Sequence, residues 1–145
     1  MKKLNGYRFR DDSRDSDQHQ DFAKGGHLFR PLVAIAWEYH FRTNRYLTIW
    51  GELGELYVEK EYGMKRNKVF AQGFDGRIGN DLVEVKTISP DKKVPSVKVK
   101  SSSSFNVLIV VRVDHKFQFS ARWIERSELK NQNGQYLSYH WNDKV

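Results

Sequence analysis

Two acidic residues and a lysine in the middle of the chain have the types and the spacing needed to bind a cation. Asp75 precedes the pair Gly79-Asn80, and Glu84 and Lys86 follow it. If Gly79-Asn80 forms a two-residue hairpin turn, Asp75 faces Glu84 across two strands, with Cβ atoms about 4.5 to 5.5 Å apart. Lys86 then lies on the same side as Glu84, because side chains alternate along a strand.

Two carboxylates at that separation repel each other unless a cation lies between them. Mg²⁺ and Mn²⁺ suit such a pair, because both are hard ions that take carboxylate, carbonyl and water oxygens. The chain has no Cys, which excludes a thiolate zinc site, a disulfide framework and a cysteine nucleophile. Its five His residues are scattered and none has metal-ligand spacing. The pattern therefore predicts a metal site built from oxygen ligands.

Two helices are expected before this hairpin. Apolar residues at helical spacing predict the first helix over residues 30–42 and a second that starts near Leu47. Gly63 stands where the second helix would end. This helix carries Glu52 and Glu55 along one side, because residues three apart stack on a helix surface.

After the second helix, β-branched and aromatic runs alternate with turn residues and predict a sheet. The run 105–113 is apolar almost throughout, as expected of a central strand covered on both faces. The run 97–100 alternates Val with Lys, which is typical of an edge strand. The predicted strands cover residues 69–71, 82–88, 97–100, 105–113 and 116–123, and a closing helix covers 124–130.

The composition fits one folded domain. The chain has 145 residues, of which 39% are hydrophobic, and this supports a single core. We expect a flexible polar arm over residues 1–26 and one domain over 27–145. No uninterrupted apolar run exceeds six residues, whereas a membrane helix needs roughly 20. Neither a membrane span nor a signal peptide is expected, and the predicted localisation is cytoplasmic.

The positive charge is concentrated near the hairpin. The net charge is +7, and residues 64–100 contain nine Lys and Arg against four Asp and Glu. A basic stretch of this kind favours a polyanion such as nucleic acid, because each neutralised phosphate releases condensed counterions. A solvated basic surface without a partner is the alternative interpretation of the charge.

Three runs together resemble the PD-(D/E)XK nuclease superfamily, which includes many type II restriction enzymes and the archaeal Holliday junction resolvases. They are Gly73-Phe74-Asp75, then Glu84-Val85-Lys86-Thr87 on a strand, and Gly51-Glu52-Leu53-Gly54-Glu55 on the preceding helix. The resemblance covers roughly residues 47–123. One departure is Phe74, which stands where the family has a proline.

The resemblance implies a restriction-endonuclease-like α/β fold, with a mixed sheet of four to five strands flanked by helices on both faces. It also implies a metal-dependent DNA endonuclease. Asp75, Glu84, the backbone carbonyl of Val85 and Glu55 would bind Mg²⁺, for which Mn²⁺ can substitute, and Lys86 would position or activate the attacking water. Glu52 shares a helix face with Glu55 and is the alternative helix acid. A homodimer is expected by analogy, because two chains can cut two strands.

Basic residues that flank this site in sequence are the predicted contacts to the DNA backbone. They are Lys65, Arg66, Lys68, Arg77, Lys92, Lys93, Lys98 and Lys100. Two other functions remain open: a non-catalytic DNA-binding or assembly subunit with the nuclease fold, and a metal-independent ribonuclease, which the scattered His residues disfavour. The tripeptide Glu128-Leu129-Lys130 repeats the ExK pattern, but it falls in the predicted closing helix, where a spacing of two separates the side chains.

Overall fold

The structure is a computed structural model that describes residues 25–68 and 73–143, together with two short strands, Lys3–Leu4 (β1) and Tyr7–Arg8 (β2). The chain divides into two compact units, residues 1–47 and 48–145. The rest of the predicted polar arm up to residue 24, and the predicted strand 69–71, lie outside the described residues.

The described residues of the first unit include one long helix. β1 and β2 pair antiparallel, and a 3-10 turn over Gly26–Leu28 leads into helix α1, Phe29–Thr43. This helix confirms the prediction over 30–42. It ends at Asn44, whose φ of 55° places it in the left-handed conformation that asparagine tolerates.

The second unit begins with helix α2, Trp50–Tyr62. α2 starts three residues later than predicted and ends at Gly63 as predicted, where a φ of 67° favours glycine. The strands that follow are β3 (Lys65–Arg66), β4 (Gly76–Ile78), β5 (Asp81–Ile88), β6 (Ser96–Lys100), β7 (Val107–Val113), β8 (Phe119–Glu125), β9 (Lys130–Gln132) and β10 (Tyr136–His140).

These strands form two sheets. The larger is a mixed sheet of five strands in the order β3-β4-β5-β7-β8, in which β5 and β7 are parallel and the other neighbours are antiparallel. The smaller sheet has three antiparallel strands in the order β6-β10-β9. The mixed five-stranded sheet of an α/β fold is therefore confirmed, and β6 lies at a sheet edge as its Lys content predicted.

The two faces of the five-stranded sheet are covered differently. Helix α2 packs on one face, with the buried residues Val58, Met64, Val83, Val85, Val107, Ile109 and Val111. The three-stranded sheet packs on the other, with the buried residues Ile88, Val97, Val99, Phe105, Leu108, Val110, Ile124, Leu129, Leu137 and Trp141. β7 contributes to both cores, which confirms the prediction of a strand covered on both faces.

Within this unit, the prediction of helices on both faces is wrong, because the second face is covered by a small sheet. The predicted closing helix over 124–130 is also wrong. A capping box between Glu125 and Glu128 starts a helical turn there, but the turn ends after three residues and the chain continues as β9. In the described part of the chain, no helix is both long and apolar enough to cross a membrane.

Candidate active site

The hairpin between β4 and β5 has the predicted turn, and its strands pair as that turn predicts up to Gly76, but the predicted pair of Asp75 with Glu84 does not form. Gly79 and Asn80 form the turn, with a φ of 57° at Gly79. Ile78 pairs with Asp81, Arg77 with Leu82, and Gly76 with Val83. A glycine suits this turn because its φ is positive.

Asp75 lies just past the paired end of β4. Its backbone N–H donates to the carbonyl of Val83 at 2.8 Å, so the regular pairing stops at Gly76. Its side-chain Oδ2 accepts a hydrogen bond from the N–H of Val85 at 2.8 Å. The Val85 carbonyl points to the same side as its N–H, as in any extended strand. A carboxylate and a backbone carbonyl therefore lie at the same edge of β5.

The segment around Asp75 is also tied to β3. The N–H of Asn67 donates to the Asp75 carbonyl at 2.8 Å, and Asn67 Nδ2 donates to the Phe74 carbonyl at 2.9 Å. Asp75 is thus fixed from both sides, by β5 through its side chain and by the end of β3 through its backbone. Its carboxylate is held in place before any ligand arrives.

Glu84 and Lys86 point to the same side of β5. Lys86 Nζ lies 3.2 Å from Glu84 Oε1. The Glu84 side chain is 13% exposed and the Lys86 side chain 39%. Val83 and Val85 belong to the core on the opposite, α2-facing side of the sheet. The alternation predicted for this strand is therefore confirmed.

Glu55 is the more buried of the two helix acids. Its side chain is 26% exposed, whereas that of Glu52 is 68% exposed. Arg66 Nη2 donates to Glu55 Oε2 at 2.5 Å and to Glu52 Oε2 at 2.9 Å. Gly54, which precedes Glu55 on α2, is buried against Thr87 of β5. A Cβ at Gly54 would lie 1.8 Å from Thr87 Oγ1. The absence of that side chain lets α2 approach β5 closely, and Glu55 is the next residue of this helix.

The carboxylates act on each other electrostatically. Burial raises the pKa of Glu84, and the charge of Asp75 raises it further, while Lys86 opposes both effects and Glu55 adds to them. Burial likewise raises the pKa of Glu55, together with repulsion from Asp75, and Arg66 opposes this rise. Three carboxylates within electrostatic reach of one another therefore favour a bound cation.

Electrostatic interactions link Glu55, Asp75 and Glu84, and an ion pair links Lys86 to Glu84; we call these four predicted catalytic residues the acid cluster. Their oxygens, with the Val85 carbonyl, are the hard donors that Mg²⁺ and Mn²⁺ prefer. Among the described residues, no three Asp, Glu or His side chains converge closely enough to hold a metal ion as they stand. Arg66 holds Glu55 and Lys86 holds Glu84, so two of the three acids already have a cationic partner.

The predicted DNA-binding residues do not share one environment. Lys65 and Arg77 are cross-strand partners on β3 and β4, and both are exposed. The Arg77 guanidinium lies over the Phe74 ring, 5.1 Å from its centre. Lys92 Nζ donates to the Ser96 carbonyl at 2.5 Å. The remaining exposed members are Lys68, Lys93, Lys98 and Lys100.

Arg66 differs from this group, and its position was not predicted from the sequence. It was expected to contact DNA, but it lies between two helix carboxylates. Strand alternation could have predicted this difference. Lys65 and Arg66 are neighbours and must point to opposite sides of β3, so only one of them can share a side with Arg77.

The second ExK copy lies elsewhere in the fold. Glu128 ends the 3-10 turn and its Oε2 accepts a hydrogen bond from the Glu125 N–H at 3.1 Å, while Lys130 begins β9. Glu128 therefore has a structural role, and the two side chains do not repeat the arrangement of Glu84 and Lys86.

Neither the models of known protein families nor the sequences of curated proteins match this chain. Its function is therefore inferred from the site itself.

Proposed function

We propose that this protein is a Mg²⁺-dependent endonuclease that hydrolyses DNA phosphodiester bonds at the acid cluster. The observation that carries the proposal is the electrostatic repulsion among three partly buried carboxylates, Glu55, Asp75 and Glu84, with Lys86 paired to Glu84. Acids that repel one another in a partly buried place cost stability without a bound cation. In a chain with a net charge of +7, this local excess of acids supports a functional cation site.

Asp75, Glu84, the Val85 carbonyl and Glu55 are the groups that would hold the Mg²⁺. When bound there, Mg²⁺ supplies positive charge at the scissile phosphate and lowers the pKa of a water beside it. Lys86 bears an ammonium, which donates hydrogen bonds and accepts none. Its role is therefore to orient the attacking water and to stabilise negative charge on the phosphate oxygens, and not to take a proton.

Exposed basic residues on β3 and β4 support a nucleic acid as the substrate. Lys65 and Arg77 face each other across β3 and β4, and like charges directly opposed destabilise a sheet unless an anion lies between them. A phosphate of the DNA backbone would relieve this repulsion. A homodimer belongs to the same proposal, because one site in each of two chains can cut both strands of a duplex.

The test is a cleavage panel with linear, circular, branched and single-stranded DNA and with RNA, with and without Mg²⁺ or Mn²⁺. Wild type should nick or cut DNA only when a divalent ion is present. Lys86→Ala should lose about 100-fold or more in rate, the scale typical for removing one donor that stabilises developing charge. Lys130→Ala is the matched control, since it removes a lysine from the other ExK tripeptide and should keep the wild-type rate.

Cleavage that persists in chelator, or that survives Lys86→Ala, would contradict the proposal. The alternative is a non-catalytic DNA-binding or assembly subunit, and the ion pairs that Arg66 and Lys86 make with the acids favour it. It predicts DNA binding without cleavage of any substrate, and no rise in melting temperature with Mn²⁺.

A further inference from the structure

Arg66 is placed where it can interfere with cation binding. Its backbone pairs with Gly76, which in turn pairs with Val83, a residue buried on the α2 side of the sheet. The Arg66 side chain therefore points towards α2. β3 is anchored there, since Asn67 is hydrogen-bonded to the segment that carries Asp75.

One nitrogen of Arg66 serves two carboxylates. Nη2 contacts Oε2 of Glu55 at 2.5 Å and Oε2 of Glu52 at 2.9 Å. These acids stand three residues apart on α2, so both reach the same guanidinium. Glu55 is the one that also interacts with Asp75 and Glu84. Arg66 thus contacts Glu55 Oε2, one of the oxygens that would hold the proposed cation.

The two partners of Arg66 differ in exposure, and this gives it a second position. Glu52 is 68% exposed and Glu55 is 26% exposed. A divalent cation near Glu55 repels the guanidinium and competes for the same carboxylate. Arg66 can leave Glu55 and keep its contact with Glu52. The guanidinium then stays paired with Glu52, and the Glu55 carboxylate is paired with the cation.

We infer that Arg66 competes with the divalent cation for Glu55 and so lowers the affinity of the acid cluster for that cation, with Glu52 holding the released guanidinium. This inference rests on the proposed function, because it needs a cation at the acid cluster. Arg66 is therefore a positioning residue, which acts on the cation through Glu55.

The test is calorimetric titration of the whole chain with Mn²⁺ alone, without DNA. Arg66→Gln should bind Mn²⁺ about tenfold more tightly than wild type, which is a change of about 1.4 kcal/mol. Arg66→Lys keeps the charge and should stay within about threefold of wild type. Lys130→Gln removes the same charge from β9, outside the acid cluster, and it should also stay within about threefold.

A melting curve without metal checks that Arg66→Gln folds. If it does not, Glu52→Gln provides the second test: Arg66 then has only Glu55 as partner, and Mn²⁺ should bind more weakly than in wild type. Unchanged or weaker binding by a folded Arg66→Gln would overturn the inference and leave the proposed function standing. Absence of Mn²⁺ binding in every variant would overturn both. If the variants bind Mn²⁺ with the predicted affinities but wild type cleaves no DNA, the role of Arg66 is supported and the proposed nuclease activity is refuted.

Discussion

Gly54→Ala tests how the acid cluster is assembled, because Gly54 sets the distance between α2 and β5. A Cβ at this position would lie 1.8 Å from Thr87 Oγ1 and 3.1 Å from Thr87 Cβ. Rotation of Thr87 can move its Oγ1 away, but it leaves the two Cβ atoms too close. The helix must therefore shift outward by a few tenths of an ångström. Because Glu55 follows Gly54 directly, this shift also moves Glu55 away from Asp75.

Two opposing energies determine the size of the effect. Overpacking of this kind costs about 1–3 kcal/mol, while replacing Gly by Ala inside a helix stabilises by about 1 kcal/mol. Gly51→Ala is the matched control, since Gly51 lies on the same helix, is exposed and has no neighbouring atom within 4 Å of a new Cβ. Gly51→Ala should therefore show only the stabilisation that comes from replacing Gly by Ala in a helix.

The difference between the two variants isolates the clash. It should be about 1–3 kcal/mol, or a melting temperature about 2–12 °C lower for Gly54→Ala than for Gly51→Ala. Thermal unfolding followed by circular dichroism measures it, and Mn²⁺ titration should give weaker binding for Gly54→Ala only. If Gly54→Ala is as stable as Gly51→Ala, α2 does not press on β5 at this point, and the account of how Glu55 is placed is refuted.

Two further predictions concern the stability of the metal-free protein. Burial, and then the charge of Asp75, raise the pKa of Glu84, so its contribution to stability is full below its ordinary pKa of 4.5 and is lost as pH rises through the folded pKa. Glu84→Gln should therefore melt at a higher temperature than wild type at pH 7, and this difference in melting temperature should close as pH falls towards 4.5. A difference that does not change with pH would contradict the assignment. Arg126 donates to the carbonyls of residues 101, 103 and 105 and lies over the Phe105 ring, so Arg126→Ala should cost about 1–3 kcal/mol in urea unfolding. Arg42→Ala, which breaks an exposed pair with Glu38, should cost less than about 1 kcal/mol, and equal costs would refute the structural role of Arg126.

The hairpin was predictable because its determinants are local. The Gly79-Asn80 turn sets the register, and the period of two along β5 then separates Glu84 and Lys86 from Val83 and Val85. Both α-helices followed from apolar spacing and their end residues, and the end of α2 depended on a positive φ that glycine adopts easily.

The parts that the sequence did not predict depend on contacts between distant segments. β10 pairs with β9 and with β6, which lies over 35 residues earlier in the chain, and no element was predicted over 136–140. The ion pairs of Arg66 depend on how close α2 approaches β3, a distance that no local pattern encodes. Glu55 and Glu52 were indistinguishable by spacing, and only burial separates them.

The measurement that tests the central claim most directly is the Mn²⁺-dependent nicking rate of supercoiled DNA by Asp75→Asn, compared with Asp81→Asn. Asparagine retains an oxygen to accept the Val85 N–H, so Asp75→Asn removes charge and keeps the hydrogen bond. Asp81 lies on the same hairpin, where it accepts a hydrogen bond from Asn106. Loss of nicking and of Mn²⁺ binding in Asp75→Asn, with both retained in Asp81→Asn, is the predicted result. Nicking by Asp75→Asn at the wild-type rate would contradict it.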